Sequence, residues 1–179
     1  MSRTPAPAAL LRAALPCCAA LLLAACALPG AQVPDRLKPP AGEEVSLIAY
    51  AQGVQIYECQ AGTVNPAQFT WAFKAPEATL ADRAGKSLGK HYAGPTWELN
   101  DGSKIVGATQ ASDPGPDANA IPWLLLTAKS AGGAFSRTRS IQRVQTVAGK
   151  APASCTAVQA GTQLRVPYQA IYYFYSARG

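Results

Sequence analysis

The chain has a single histidine, His91, and a single methionine, Met1, and charged residues make up only 15% of its 179 positions. Copper and zinc sites draw on His, Cys and Met, so transition-metal chemistry is poorly supplied. No Gly-rich phosphate loop opens a helix, which excludes a dinucleotide-binding fold. No stretch longer than about ten residues keeps a helical period without Gly or Pro, which excludes a helical bundle. Basic residues are scattered, with one local cluster at Arg137, Arg139 and Arg143. Nucleic-acid binding asks for a basic stripe interleaved with aromatics, so no nucleic-acid partner is expected and the cluster reads as a solvated strand face. Apolar residues reach 49%, too many for a disordered chain.

What is present begins with a leader. Residues 1–25 contain no acid, two arginines (Arg3 and Arg12) and a run from Ala13 to Ala25 that is apolar apart from Pro16. That is a signal peptide, too short and too interrupted for a membrane span. It ends in Leu23-Ala24-Ala25-Cys26, which resembles the bacterial lipobox, in which the cysteine receives the lipid. Pro16 spoils the same pattern before Cys17 and Cys18. Ala25-Cys26-Ala27 also satisfies the small-x-small rule of ordinary signal peptidase, which would release a soluble product. Lipidation explains a cysteine at that position and is carried forward. Ala27, in place of Asp, directs the expectation to the outer membrane of the cell envelope. Residues 26–44 are Pro-rich and aperiodic and read as a lipidated cysteine with a flexible tether. Residues 45–179 are then one domain, and loss of the two leader arginines takes the formal charge of the mature chain from +6 to +4.

Within that domain, short apolar stretches alternate with turn residues, and Gly and Pro number 15 each over the whole chain. Val45–Ala51 and Val54–Ala61 flank Gln52-Gly53 as a hairpin would. Phe69, Trp71 and Phe73 fall on one face of a strand. Thr96–Leu99 and Ser103–Thr109 flank Asn100-Asp101-Gly102, the strongest hairpin signal. Ile121–Ala128 is apolar on both faces, as a strand covered on both sides would be. In Phe135–Val147 the apolar phase slips between Ile141 and Val144, which predicts a bulge. Tyr168–Ser176 closes the chain as an aromatic strand. Ala78–Leu88 has room for one or two short helical turns. The fold is expected to be all-β, a single antiparallel sandwich or partly closed barrel with at most one or two short helical turns.

Cys59 and Cys155 are the cysteines beyond the leader and anchor. An even pair in an exported domain reads as a disulfide. A reactive thiol would need a base beside it.

Gly89-Lys90-His91-Tyr92-Ala93-Gly94-Pro95-Thr96-Trp97-Glu98, followed by Asp101-Gly102-Ser103, resembles the signature block of the family catalogued as domain of unknown function 3455. Ile121-Pro122-Trp123-Leu124, the stretch Ile141–Thr146, Gly149 to Pro152 with Cys155, and the terminal run Tyr168–Tyr175 are similar to it too. The resemblance covers most of Val45–Ala177. It implies secreted or envelope proteins of bacteria and fungi without established chemistry, and brings no catalytic residues.

Candidate sites therefore rest on the residues themselves. His91 is a candidate general acid or base, with Glu98 or Asp101 to orient it in a small hydrolase-type enzyme. The structural reading, which the sequence favours, is a half-buried ring satisfied by a carbonyl or carboxylate. No nucleophile partner is apparent, and Ser103, the nearest hydroxyl, sits in a turn without a nucleophile-elbow pattern. His91, Tyr92, Trp97 and Asp101 are the ligand-binding candidates. Asp113, Asp117 and Asn119 bunch oxygen side chains as a weak calcium candidate, or as an ordinary turn. Trp71, Trp97, Trp123 and tyrosines 168, 172, 173 and 175 are material for a core or for a ligand groove. No cofactor is expected. The leading expectation is a lipid-anchored envelope protein, uncharacterised in its chemistry. Its β-domain binds an unknown small ligand or an envelope partner without catalysis, and its membrane contact is the lipid on Cys26.

Overall fold

The computed structural model describes Met1 and residues 32–178. The signal peptide, Cys26 and the start of the tether lie outside the described residues.

The domain is all-β. Eight strands follow one another: β1 (Glu43–Ala61), β2 (Phe69–Ala81), β3 (Ser87–Tyr92), β4 (Thr96–Leu99), β5 (Lys104–Asp113), β6 (Trp123–Ser130), β7 (Thr138–Ala148) and β8 (Gln163–Ala177). Each pairs antiparallel with the next, and β8 returns to pair with β1, so the single sheet closes into an irregular barrel. Pairing runs around the whole ring, but residues 69–77 of β2 extend past β3 and residues 107–113 of β5 extend past β4. Among the described residues there is no α-helix, only 3-10 turns at Asp35–Leu37, Gly133–Phe135 and Ala157–Gln159.

Period-two alternation makes the interior. Along β8, Tyr168, Ala170, Tyr172 and Phe174 are buried and join Ala49 and Ala51 of β1, Leu80 of β2 and Ile141 of β7 in one core. One end is plugged by Phe135, whose ring lies 5.0 Å from that of Phe174. A second, smaller cluster lies outside the ring, where Leu37 packs on Trp123, Leu125 and Val144. β6 is thus covered on both faces, as its apolar sequence suggests.

The outer cluster changes the reading of the tether. From Val33 the segment packs on the barrel: Leu37 is fully buried, and the Gln142 amide donates to its carbonyl at 2.6 Å. Arg36 pairs with Asp113.

Three local expectations are corrected. Gln52-Gly53 is no hairpin turn; β1 runs straight through it, pairing Gly53 with Ala78 on one side and Tyr168 on the other. Glycine is there because a Cβ would lie 2.1 Å from the Glu77 carbonyl oxygen. Ala78–Leu88 holds no helical turn: β2 ends and β3 begins there, joined by a turn in which Asp82 Oδ1 accepts the amides of Ala84 and Lys86, each at 2.9 Å. The bulge of β7 lies between Val144 and Val147, where Gln145 takes φ of 50°. Ile141 and Val144 do not mark a slip, since they serve the inner and outer clusters respectively.

The Asn100–Gly102 hairpin forms as predicted. Cys59 and Cys155 are bonded, with Cα atoms 6.0 Å apart, tying the end of β1 to the connection between β7 and β8.

Candidate functional site

Strand alternation sorts the signature block onto two faces. β3 and β4 place His91 opposite Trp97 and Lys90 opposite Glu98. His91 and Trp97 turn inward and are buried. Glu98 lies on the other face, where the Tyr92 hydroxyl donates to its Oε2 at 2.7 Å and Lys90 and Lys104 flank it. The Tyr92 bond holds the Glu98 carboxyl below its usual range, and the same bond raises the phenol. Asp101 sits in the turn and accepts the Ser103 amide at 2.9 Å, which lowers its carboxyl. The Ser103 hydroxyl accepts the Ala134 amide at 2.9 Å.

The hydrolase arrangement of His91 with Glu98 or Asp101 is therefore not assembled. Trp97, the register partner of His91, faces inward, so the next residue on β4, Glu98, faces the other way, and Asp101 is consumed by its own turn.

His91 instead belongs to an aromatic cluster. Its ring stacks on Trp97 at 4.3 Å and meets Tyr172 edge-on at 5.2 Å. Nδ1 lies 2.8 Å from the Thr96 carbonyl oxygen. A carbonyl only accepts, so Nδ1 carries the proton and Nε2 keeps a lone pair. Burial pulls the pKa down to about 4, against the Thr96 bond, so the ring is neutral at physiological pH.

Beside this cluster lies a cavity of about 480 Å³, at the barrel end that carries the β3–β4 turn and the β5–β6 connection. Phe73, Pro76, Pro95, Pro122, Leu124 and Leu126 supply apolar wall. Gln55, His91, Trp97, Tyr172 and Arg143 supply polar groups. Gln55 Nε2, Trp97 Nε1 and the Tyr172 hydroxyl are buried without a hydrogen-bond partner, as is the neighbouring Tyr168 hydroxyl. Tyr168, Tyr172, Gln55 and Arg143 lie close enough for their polar groups to act on one another, but the two hydroxyls and the Gln55 amide nitrogen stop short of hydrogen-bond geometry. Desolvation raises both phenols.

Of the ligand-binding candidates, His91 and Trp97 meet at the cavity, and Tyr92 and Asp101 lie elsewhere. Of the other aromatics, Tyr172 lines the cavity and Trp123 is buried in the outer cluster, with Tyr173 packed against it. The Tyr175 hydroxyl donates to Gln142 at 3.2 Å. The calcium candidates are turn formers: Asp113 accepts the Gly115 amide and pairs with Arg36, and Asp117 accepts the Asn119 amide.

Gln55 and Arg143 are the cavity residues that the sequence reading missed. Arg137 and Arg139 are exposed as expected of a solvated face, but Arg143 is half-buried and turned inward. Its position two residues after Ile141 is the available signal, since both share one face. Gln55 carries the same signal, since it alternates on β1 with Ala51, Tyr57 and Cys59 on one face.

Residues 40–176 match the family described as a protein of unknown function, DUF3455, and the chain belongs to that family. Neither the curated proteins nor the solved structures yielded a match.

Proposed function

We propose that this protein is a lipid-anchored component of the bacterial envelope whose barrel binds a small ligand in the cavity beside His91, without chemistry upon it. The carrying observation is the cavity itself, whose apolar wall surrounds buried polar atoms that have no partner in the protein. Its volume suits a small molecule. Each unsatisfied buried donor costs about 1–3 kcal/mol, a cost that a ligand with matching acceptors removes. The non-catalytic reading is supported by His91 having a carbonyl, and no carboxylate or nucleophile, as its hydrogen-bond partner. The lipobox-like Leu23–Cys26 supports the anchor.

The test is capture. Purified protein incubated with envelope extract, washed and denatured should release a small molecule detectable by mass spectrometry. Thr109→Trp places a large ring in the cavity at an exposed strand position. It should abolish capture with little change in melting temperature. Equal recovery of the same molecule from Thr109→Trp would show that the cavity is not the site.

A further inference from the structure

Resting on the ligand-binding reading above, we infer that the cavity takes a small organic anion, whose oxyanion head is received by Arg143 and whose apolar body lies along the apolar wall. The first support is the charge inventory. Two cations, Arg143 and Lys74, line the cavity, and no carboxylate does. Lys74 is paired with Glu58 at 3.5 Å. Arg143 forms no ion pair among the described residues; its Nε and Nη2 donate to the Pro122 carbonyl oxygen at 3.0 and 2.7 Å.

A guanidinium has five N–H donors and cannot shed its proton in a protein. Two donors serve Pro122, and three remain. A half-buried cation facing aromatic walls without a counter-charge is costly unless a ligand supplies that charge.

The second support is the sign of the unpartnered atoms. Gln55 Nε2 and Trp97 Nε1 are donors only, and the Tyr172 hydroxyl is able to donate. All three residues are at least nine-tenths buried. A cavity whose unpartnered buried atoms are able to donate and whose cation is uncompensated is matched by oxygens bearing negative charge. Carboxylate and sulfonate share that chemistry, and Arg binds such groups through two parallel N–H bonds. A neutral sugar would bring as many donors as acceptors and leave the guanidinium charge unmatched. His91 is neutral and contributes no charge, so Arg143 is the cation the ligand meets at the inner wall.

The probes are 1-anilinonaphthalene-8-sulfonate and the neutral N-phenyl-1-naphthylamine, which share one apolar body and differ in the sulfonate. Fluorescence titration of the full mature protein should show the anionic probe binding at least about tenfold more tightly, the scale of one charge-assisted hydrogen bond. Arg143→Gln should abolish that preference while the neutral probe binds as before. Arg143→Lys keeps the charge without the planar fork and should retain part of the preference, which guards against a folding defect in the glutamine variant. Thr109→Trp should weaken both probes. Equal binding of the two probes to the wild type, or a preference that survives Arg143→Gln, overturns the anion inference and leaves the cavity reading standing. Failure of both probes to bind, or binding unaffected by Thr109→Trp, overturns the cavity reading and this inference with it.

Discussion

His91 and Trp97 are register partners across β3 and β4, and their rings lie 4.3 Å apart with only 13° between their planes. The Thr96 carbonyl fixes the proton on Nδ1, and Tyr172 meets both rings edge-on, at 5.2 Å from His91 and 5.3 Å from Trp97. Three neighbours thus hold one imidazole in one tautomer and one orientation. The ring contributes a stacking surface and a lone pair, and no charge.

That arrangement makes stability depend on pH. An unfolded histidine takes its proton near pH 6.5, whereas the buried ring takes it only near 4. Between those values the unfolded chain binds a proton that the folded chain refuses, so stability is full above about pH 6.5 and falls as the pH drops toward 4. The loss approaches about 3 kcal/mol by the lower limit. Denaturant midpoints at pH 7.5, 5.5 and 4.5 should decline for the wild type. His91→Phe keeps a flat ring but cannot titrate, so its midpoint should start lower and decline less. Identical slopes for the two proteins would show that His91 is not the group responsible.

The disulfide should be the largest single contributor to stability against unfolding. Cys59 and Cys155 are 96 residues apart in sequence, so the bond restrains most of the domain in the unfolded state. On the chain-entropy account such a loop contributes about 4–5 kcal/mol. The double variant Cys59→Ser with Cys155→Ser should lose a stability of that order by urea denaturation. A loss below about 1 kcal/mol would place the bond among disulfides whose native strain cancels their benefit.

The sequence carries the strands far better than the cavity. Alternation at Tyr168–Phe174, the Asn100–Gly102 turn and the double-faced apolar run of β6 are local signals, and each appears in the barrel. Closure is not local. It depends on β8 meeting β1, and no short pattern distinguishes a ring from a two-sheet sandwich. Arg143 illustrates the same limit. Its neighbours Gln142 and Val144 are buried outside the ring, so the inward direction of Arg143 follows only once the wall has two covered faces. Gly53 was misleading for a different reason: glycine marks a turn and a close approach equally well.

Gly53 yields a direct check on that distinction. A methyl group there would lie 2.1 Å from Glu77 O and 2.5 Å from Ala78 Cα, both backbone atoms of β2. Gly53→Ala must therefore separate β1 from β2 at the middle of the barrel, at a cost of at least about 2–3 kcal/mol. Gly85 stands in a turn at φ 84° with open space around it. Gly85→Ala should cost only about 1 kcal/mol, the ordinary strain of a side chain at positive φ. Melting temperatures of the two variants should differ in that order, and a Gly53→Ala protein as stable as Gly85→Ala would return residues 52–53 to a turn.

Anchoring is tested in the cell of origin. Cys26→Ser removes the acceptor of the lipid. The protein should move from the detergent-soluble envelope fraction to an unprocessed precursor or a soluble product, with its barrel intact by melting temperature. Unchanged membrane partition would assign the attachment to another part of the chain.

The strap ahead of β1 sets how much chain is free to reach from that anchor. Leu37 is fully buried under the outer cluster, whereas Arg36 is bound to Asp113 through a side chain that is 58% exposed. The two neighbours should behave differently. Leu37→Ala removes a core-grade side chain from between Trp123, Leu125 and Val144 and should cost about 2–4 kcal/mol. Arg36→Ala removes an ion pair open to solvent and should cost no more than about 1 kcal/mol. A second readout separates loosening of the strap from general instability. Limited proteolysis under native conditions should cut Leu37→Ala within residues 32–42 before the barrel, because the barrel strands are tied into one continuous sheet and the strap has Leu37 as its one fully buried side chain. Cleavage at the same rate in the wild type and in Leu37→Ala would mean that the segment is already free, and that the tether extends to Glu44 as the proline-rich sequence suggests.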